Sequence, residues 1–245
     1  MRQAKWSWLN LLVLIGALVV VGVTASLGRW QLDRAAQKEA LAQMRAERSA
    51  LPAIDASALQ GLDEQAQQAL LYRPIVLRGR WLAEQTVWLE NRQMGGRTGF
   101  HVLTPLQLQG SAQVLLVQRG WAPRNFIDRQ ALPPIETPEG EVTVSGRLLP
   151  WPSRVYDFSQ VEQGPIRQNL ILEDYRRQTG LPLLPISVQQ TGAEGQGLQR
   201  QWHEPGSGVE KHHGYAFQWF GLSGLIAFLY VWFQIVQPRR KKPVA

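Results

Sequence analysis

The residues best equipped for chemistry stand near the end of the chain, in Lys211-His212-His213-Gly214-Tyr215-Ala216-Phe217-Gln218-Trp219-Phe220. A neutral imidazole is a good ligand for haem iron and for several transition metals. Two adjacent imidazoles here open an apolar run that reaches Val236 and stops at Pro238-Arg239-Arg240-Lys241-Lys242. On a helix, His212 shares a stripe with Tyr215, Ala216, Trp219, Ser223, Ile226 and Tyr230, and His213 points about 100° away. Two readings follow. His212 is an axial ligand to a haem lying against Tyr215 and Trp219, or the pair is an interfacial helix cap with Lys211 at headgroup level. The other histidines are weaker candidates. His101 lies in a strand between Phe100 and Val102, and His203 lies in a polar loop beside Trp202 and Glu204.

The chain has 245 residues and no cysteine. That excludes disulfides, thiolate zinc sites, iron–sulfur clusters and thiol redox chemistry. Serine-nucleophile elbows and phosphate-binding glycine loops are also missing from the sequence. Asp157 with Glu162 and Glu173 with Asp174 read as solvated carboxylates rather than a hydrolytic pair. The expectation is a protein that is not an enzyme. The net charge of +7 suggests nucleic acid, but its distribution argues otherwise. Arg2, Lys5, Arg239, Arg240, Lys241 and Lys242 account for six of 26 basic residues; the other 20 face all 19 acidic ones, leaving +1 between the tails. Basic ends on a balanced middle are a membrane pattern.

Two segments are suited to positioning the histidines at a membrane. Residues 9–27 carry no charge, and 19 residues at ~1.5 Å each give roughly 29 Å, close to the hydrocarbon thickness. A cleaved signal peptide is the alternative, with Val23-Thr24-Ala25 as an acceptable site. Residues 215–236 are likewise uncharged, with Tyr215 and Trp219 at one end and Tyr230 and Trp232 at the other, a belt of amphipathic rings. Both basic tails lie outside the spans, so both termini are expected in the cytoplasm. The expected organisation is a cytoplasmic tail (1–8), a first transmembrane helix (9–27), and a periplasmic β-rich domain (28–214) opening with a juxtamembrane helix (29–48). A second transmembrane helix (215–236) and a basic cytoplasmic tail (237–245) follow. The fold class is a membrane protein with a hairpin of two transmembrane helices flanking a mostly antiparallel β (α+β) domain. The expected location is the bacterial inner membrane; in a mitochondrial relative the domain would face the intermembrane space. Gly16, Ala17 and Gly22 on the first span, with Gly214 and Gly221 on the second, read as small residues for helix pairing.

Between the spans, alternating β-branched and apolar residues mark strands over 73–81, 86–92, 99–108, 113–121, 141–149 and 183–190. The first four read as an antiparallel meander, and Pro105 suggests an edge or a bulge. Leu170–Thr179 reads as a short helix closed by Gly180.

Six blocks, in order along the chain, resemble the Surfeit locus protein 1 family. They are Leu27-Gly28-Arg29-Trp30-Gln31 with Arg34 and Lys38; Tyr72-Arg73-Pro74 with Gly79-Arg80-Trp81; Asn91-Arg92 with Gly99-Phe100 and Thr104-Pro105-Leu106; Val117-Gln118-Arg119-Gly120-Trp121-Ala122-Pro123; Gly146-Arg147; and Lys211-His212 with Gly214-Tyr215-Ala216 and Gln218-Trp219-Phe220. Gln118 stands where the family more usually has Asn. The family comprises membrane-anchored assembly factors of cytochrome c oxidase, and some bacterial members are described as haem a binders. The resemblance therefore implies help with inserting haem a into subunit I, or with stabilising it there, with haem a held transiently. It also implies partnership with subunit I and with haem a synthase. The matching histidine is His212. His213, Tyr215 and Trp219 complete the expected cofactor site. Arg29, Trp30, Arg119 and Trp121 are candidate partner contacts, since Arg and Trp are common interface anchors. A chaperone of oxidase subunits that binds no cofactor is the alternative. A two-span chain offers no repeat-built midplane site, which argues against a transporter.

Overall fold

The computed structural model describes residues 8–128, 130–152, 164–202 and 208–240. His203, Asp157, Glu162, Arg2, Lys5, Lys241 and Lys242 lie outside the described residues. The chain divides into two compact units: residues 1–44 with 205–245, and residues 45–204.

The first unit is built from two helices, α1 (Trp8–Ser49) and α4 (Val209–Val231). A π-helical turn, Trp232–Val236, and a last helical turn, α5 (Gln237–Arg240), follow α4. Both long helices are apolar and long enough to cross a membrane. Leu12, Leu18, Val19, Phe217, Phe228 and others expose apolar side chains on their outer surfaces. Where the two helices meet, each contributes a stripe spaced alternately by three and four residues. On α4 the only residues that are not exposed are Val209, His212, Ala216, Trp219, Ser223, Ile226 and Tyr230. On α1 the matching positions are Leu14, Ala17, Val21, Thr24, Gly28, Gln31 and Ala35. This alternation keeps one seam facing a partner helix. The helices run antiparallel: His212 meets Gln31, Gly28 lies under Phe220, and Ser223 Oγ donates to the Val21 carbonyl at 3.2 Å. Hydroxyls in the seam are satisfied, as an apolar setting demands; Thr24 Oγ1 donates to the Val20 carbonyl at 2.8 Å.

The pairing glycine is one that the small-residue pattern did not include. A Cβ on Gly28 would stand 2.9 Å from the Phe220 ring, whereas Gly16, Gly22, Gly214 and Gly221 have nothing within 4 Å. Those four glycines lie off the seam, so spacing alone misassigned them.

The second unit begins with the end of α1. Arg48 donates to the Leu71 carbonyl and Ser49 to the Tyr72 carbonyl, and Arg45 stacks over the Tyr72 ring at 5.0 Å. A short strand β1 (Ile54–Asp55) and helix α2 (Glu64–Ala69), N-capped by Asp63, follow. The main strands are β2 (Pro74–Trp81), β3 (Val87–Met94), β4 (Arg97–Leu108), β5 (Val114–Pro123) and β6 (Glu141–Pro150). After the short β7 (Ile166–Arg167) and helix α3 (Leu172–Thr179) comes β8 (Leu183–Gln190). β3, β4 and β5 form the expected meander, but β2 does not lie beside β3; it pairs with β6 along most of its length. The ring β2–β6–β8–β5–β4 closes because β2 also pairs with β4, giving a five-stranded barrel. Every contact in that ring is antiparallel except β5–β8, which is parallel.

Closure depends on two residues. Gly79 is paired on both sides, with Val142 and with Leu108, and a Cβ there would stand 2.1 Å from the Gln107 carbonyl oxygen. Pro105 sits where β4 leaves β3, after Leu103, and before it meets β2 at Leu106. Its carbonyl accepts from Leu82 N at 2.9 Å on that side, where the proline nitrogen has no ladder bond to supply. The proline is therefore neither on an edge strand nor an interruption. The barrel core holds Ile75, Leu77, Leu106, Leu115, Val117, Val144, Leu148, Ile186 and Val188. A second cluster packs Leu116, Val114, Leu103 and Leu89 against Tyr175 and Leu172 of α3. β5 thus has both faces covered, which is why Val114–Val117 is continuously apolar.

Candidate functional site

Gln31 and His212 face each other in the seam of the helix pair. The Nδ1–Oε1 separation is 2.7 Å. Every member of the stripe read from the sequence packs along this seam except Tyr215, which is 51% exposed. Two turns on from His212, Trp219 is half-buried in the same seam. His213 points away from the seam, and its Nε2 lies 3.3 Å from Glu39 Oε1 on α1. Both of those groups are more than half exposed, so the pair contributes little stability. Partial burial holds the His212 imidazole below its ordinary range, and Lys38, Arg34 and His213 push the same way. A cationic surround of this kind favours the neutral ring, the form that ligates metal.

Among the described residues no group of three His, Cys, Asp or Glu could hold a bare metal ion. His212 offers a single ring nitrogen with Arg34 and Lys38 as neighbouring cations, while Tyr215 faces outward and Trp219 lies farther along the seam.

The other candidates separate by location. Arg29 and Trp30 are exposed on α1, and Trp30 lines a shallow apolar groove of about 520 Å³ with Leu18, Gly22, Val23 and Ser26. Arg119 and Trp121 do not form a surface, contrary to their reading as partner contacts: both are fully buried. Arg119 stacks over Trp81 at 4.9 Å. It donates to Thr137 Oγ1 at 2.7 Å, to the Glu136 carbonyl at 2.6 Å and to Gln196 Oε1 at 3.1 Å. Burial, with Arg200 nearby, lowers its pKa to about 10. Trp121 donates Nε1–H to the Arg92 carbonyl at 2.8 Å, and its backbone pairs with Gln199. The Arg119 side chain and the Trp121 backbone thus fasten Glu136, Thr137, Gln196 and Gln199 to β5, and the Trp121 indole ties β5 to β3. An Arg-Gly-Trp run marks an interface anchor and an internal tie equally well, so sequence could not separate the two.

His101 is also structural. It meets Trp202 edge-on at 5.3 Å, and burial with Arg92 lowers its pKa to about 4. Sequence reasoning overlooked Gln31 as a functional contact. Its signal was present: Gln31 falls on the three-and-four stripe of α1.

The sequence model of the SURF1 family matches residues 18–224. The chain belongs to the SURF1 family. That span contains all six blocks from Leu27 to Phe220, so family membership takes in both helices and the barrel. Surfeit locus protein 1 of Arabidopsis thaliana is 31% identical over 137 residues, 52% of this chain and 37% of that protein. A SURF1-like protein of Rickettsia felis is 32% identical over 115 residues, 46% of this chain and 45% of the relative. Each alignment covers less than half of the relative's length.

Proposed function

We propose that this SURF1-family chain is a non-enzymatic assembly factor for cytochrome c oxidase, assisting the insertion or stabilisation of haem a in subunit I. The observation that carries the reading is His212, a histidine in the helix seam facing Gln31, with burial and the nearby cations Lys38 and Arg34 disfavouring its protonation. Haem a is cargo in this reading, taken up transiently. His212 offers a nitrogen to the iron, Trp219 and Tyr215 cover the macrocycle, and Arg34 with Lys38 attract its carboxylates. His213, turned toward Glu39, stands aside from that role.

The proposed setting is the bacterial inner membrane, with residues 9–27 and 215–236 as the two spans, the barrel in the periplasm and both termini in the cytoplasm. The basic tails support this orientation. Subunit I and haem a synthase are the proposed partners. Exposed Arg29 and Trp30 are available to them; buried Arg119 and Trp121 are not.

The test is a deletion strain complemented with wild type or with His212→Ala. Deletion should reduce the haem a optical signal and the oxidase activity of membranes. Wild type should restore both, and His212→Ala should restore less. Normal oxidase in a strain lacking every copy would overturn the assembly role. Full rescue by His212→Ala would remove the ligand and favour a chaperone that binds no cofactor.

A further inference from the structure

We propose that Gln31 is a positioning residue for His212: it holds the imidazole as the Nδ1–H tautomer and leaves Nε2 as the only ring nitrogen free to bind a ligand. The inference rests on the haem-handling reading for its purpose, but not for its structural content.

The hydrogen bond joins Nδ1 of His212 to Oε1 of Gln31 at 2.7 Å. A carboxamide oxygen accepts and cannot donate, so the proton of this bond belongs to Nδ1. A neutral imidazole carries one N–H, and Nε2 then keeps its lone pair. Among the described residues nothing is hydrogen-bonded to Nε2, and that nitrogen is not a sealed, unpaired atom. The ring is also held in orientation. Gln31 and His212 occupy facing seam positions, with Gly28 and Ala35 flanking one side and Val209 and Ala216 the other. The close approach at Gly28 under Phe220 fixes the helices one turn away. A ligating histidine that gives its other N–H to a carbonyl or carboxylate has its tautomer and ring plane fixed by that partner. Gln31 supplies this partner from the other helix, so the ligand is competent only while the helices are paired.

Two predictions separate this role from plain helix packing. Full-length protein with 15N-labelled histidine, in detergent and without haem, should show His212 protonated at Nδ1 and bare at Nε2; His212→Ala assigns the resonance. Gln31→Leu, similar in size, should lose that preference, and Gln31→Glu should keep it. An Nε2–H tautomer in the wild type, or an unchanged tautomer in Gln31→Leu, would overturn the proposal. Haemin titration of the same proteins supplies the second arm. Gln31→Leu should weaken binding about 10- to 100-fold. Gln31→Glu should bind haemin and shift its midpoint potential downward, because an anionic acceptor makes the imidazole a stronger donor. Equal potentials in Gln31→Glu and wild type would leave Gln31 a packing residue. If His212→Ala binds haemin as tightly as wild type, the haem reading fails while the tautomer result stands or falls separately.

Discussion

Lowering the pH from about 7.5 to about 5 should weaken the barrel unit through His101, and His101→Phe should remove most of the effect. His101 lies on β4 opposite Trp121, edge-on to Trp202, with Arg92 close by. Burial disfavours the imidazolium, Arg92 repels it, and the folded-state pKa falls from 6.5 to about 4. The folded value lies below the unfolded one, so the unfolded chain binds more protons over this interval. The contribution is complete above pH 6.5 and is lost as the pH drops toward 4. An interval of about 2.5 pH units, at ~1.4 kcal/mol each, gives about 3 kcal/mol in all and about 2 kcal/mol by pH 5. The assay is the urea midpoint of the full chain in detergent at the two pH values, for wild type and His101→Phe. Phenylalanine keeps a ring against Trp202 and does not titrate. Carboxylates act equally in both proteins, so the difference between the two losses isolates His101. Equal losses would refute the burial argument.

Two substitutions test the wall of the barrel. Gly99→Ala should destabilise by about 3 kcal/mol, the upper part of the overpacking range, because its Cβ would stand 2.2 Å from the Ala122 carbonyl oxygen and 2.4 Å from the Trp121 ring. A urea midpoint equal to wild type would mean that β4 and β5 separate freely there. Trp121→Phe leaves the Arg92 carbonyl without its 2.8 Å donor and should cost about 1–3 kcal/mol; an unchanged unfolding midpoint would show that water replaces the indole.

The sequence by itself determined the elements. Uncharged runs at each end, period-two alternation between them and ordered motif blocks were enough to read two apolar helices, a β-rich domain and a SURF1 resemblance. These signals are local, because each element's burial pattern is written in its own residues. The helical stripe through His212 was legible for the same reason, and the structure changed only Tyr215. Tertiary structure decided what neighbours what. No local pattern says that β2 pairs with β6 and then β4, or that β5 lies parallel to β8, since closure joins residues far apart in the chain. Small residues suggest close approach without naming the partner, so Gly28 was found only from the Phe220 ring above it. Arg119 and Trp121 have the composition of an interface, yet the domain buries them and turns their donors on its own loops and on β3. Gln31 has an ordinary polar side chain in a helix until α4 returns and sets His212 against it. The His212–Gln31 contact depends on that long-range pairing, because one helix supplies the imidazole and the other its hydrogen-bond partner.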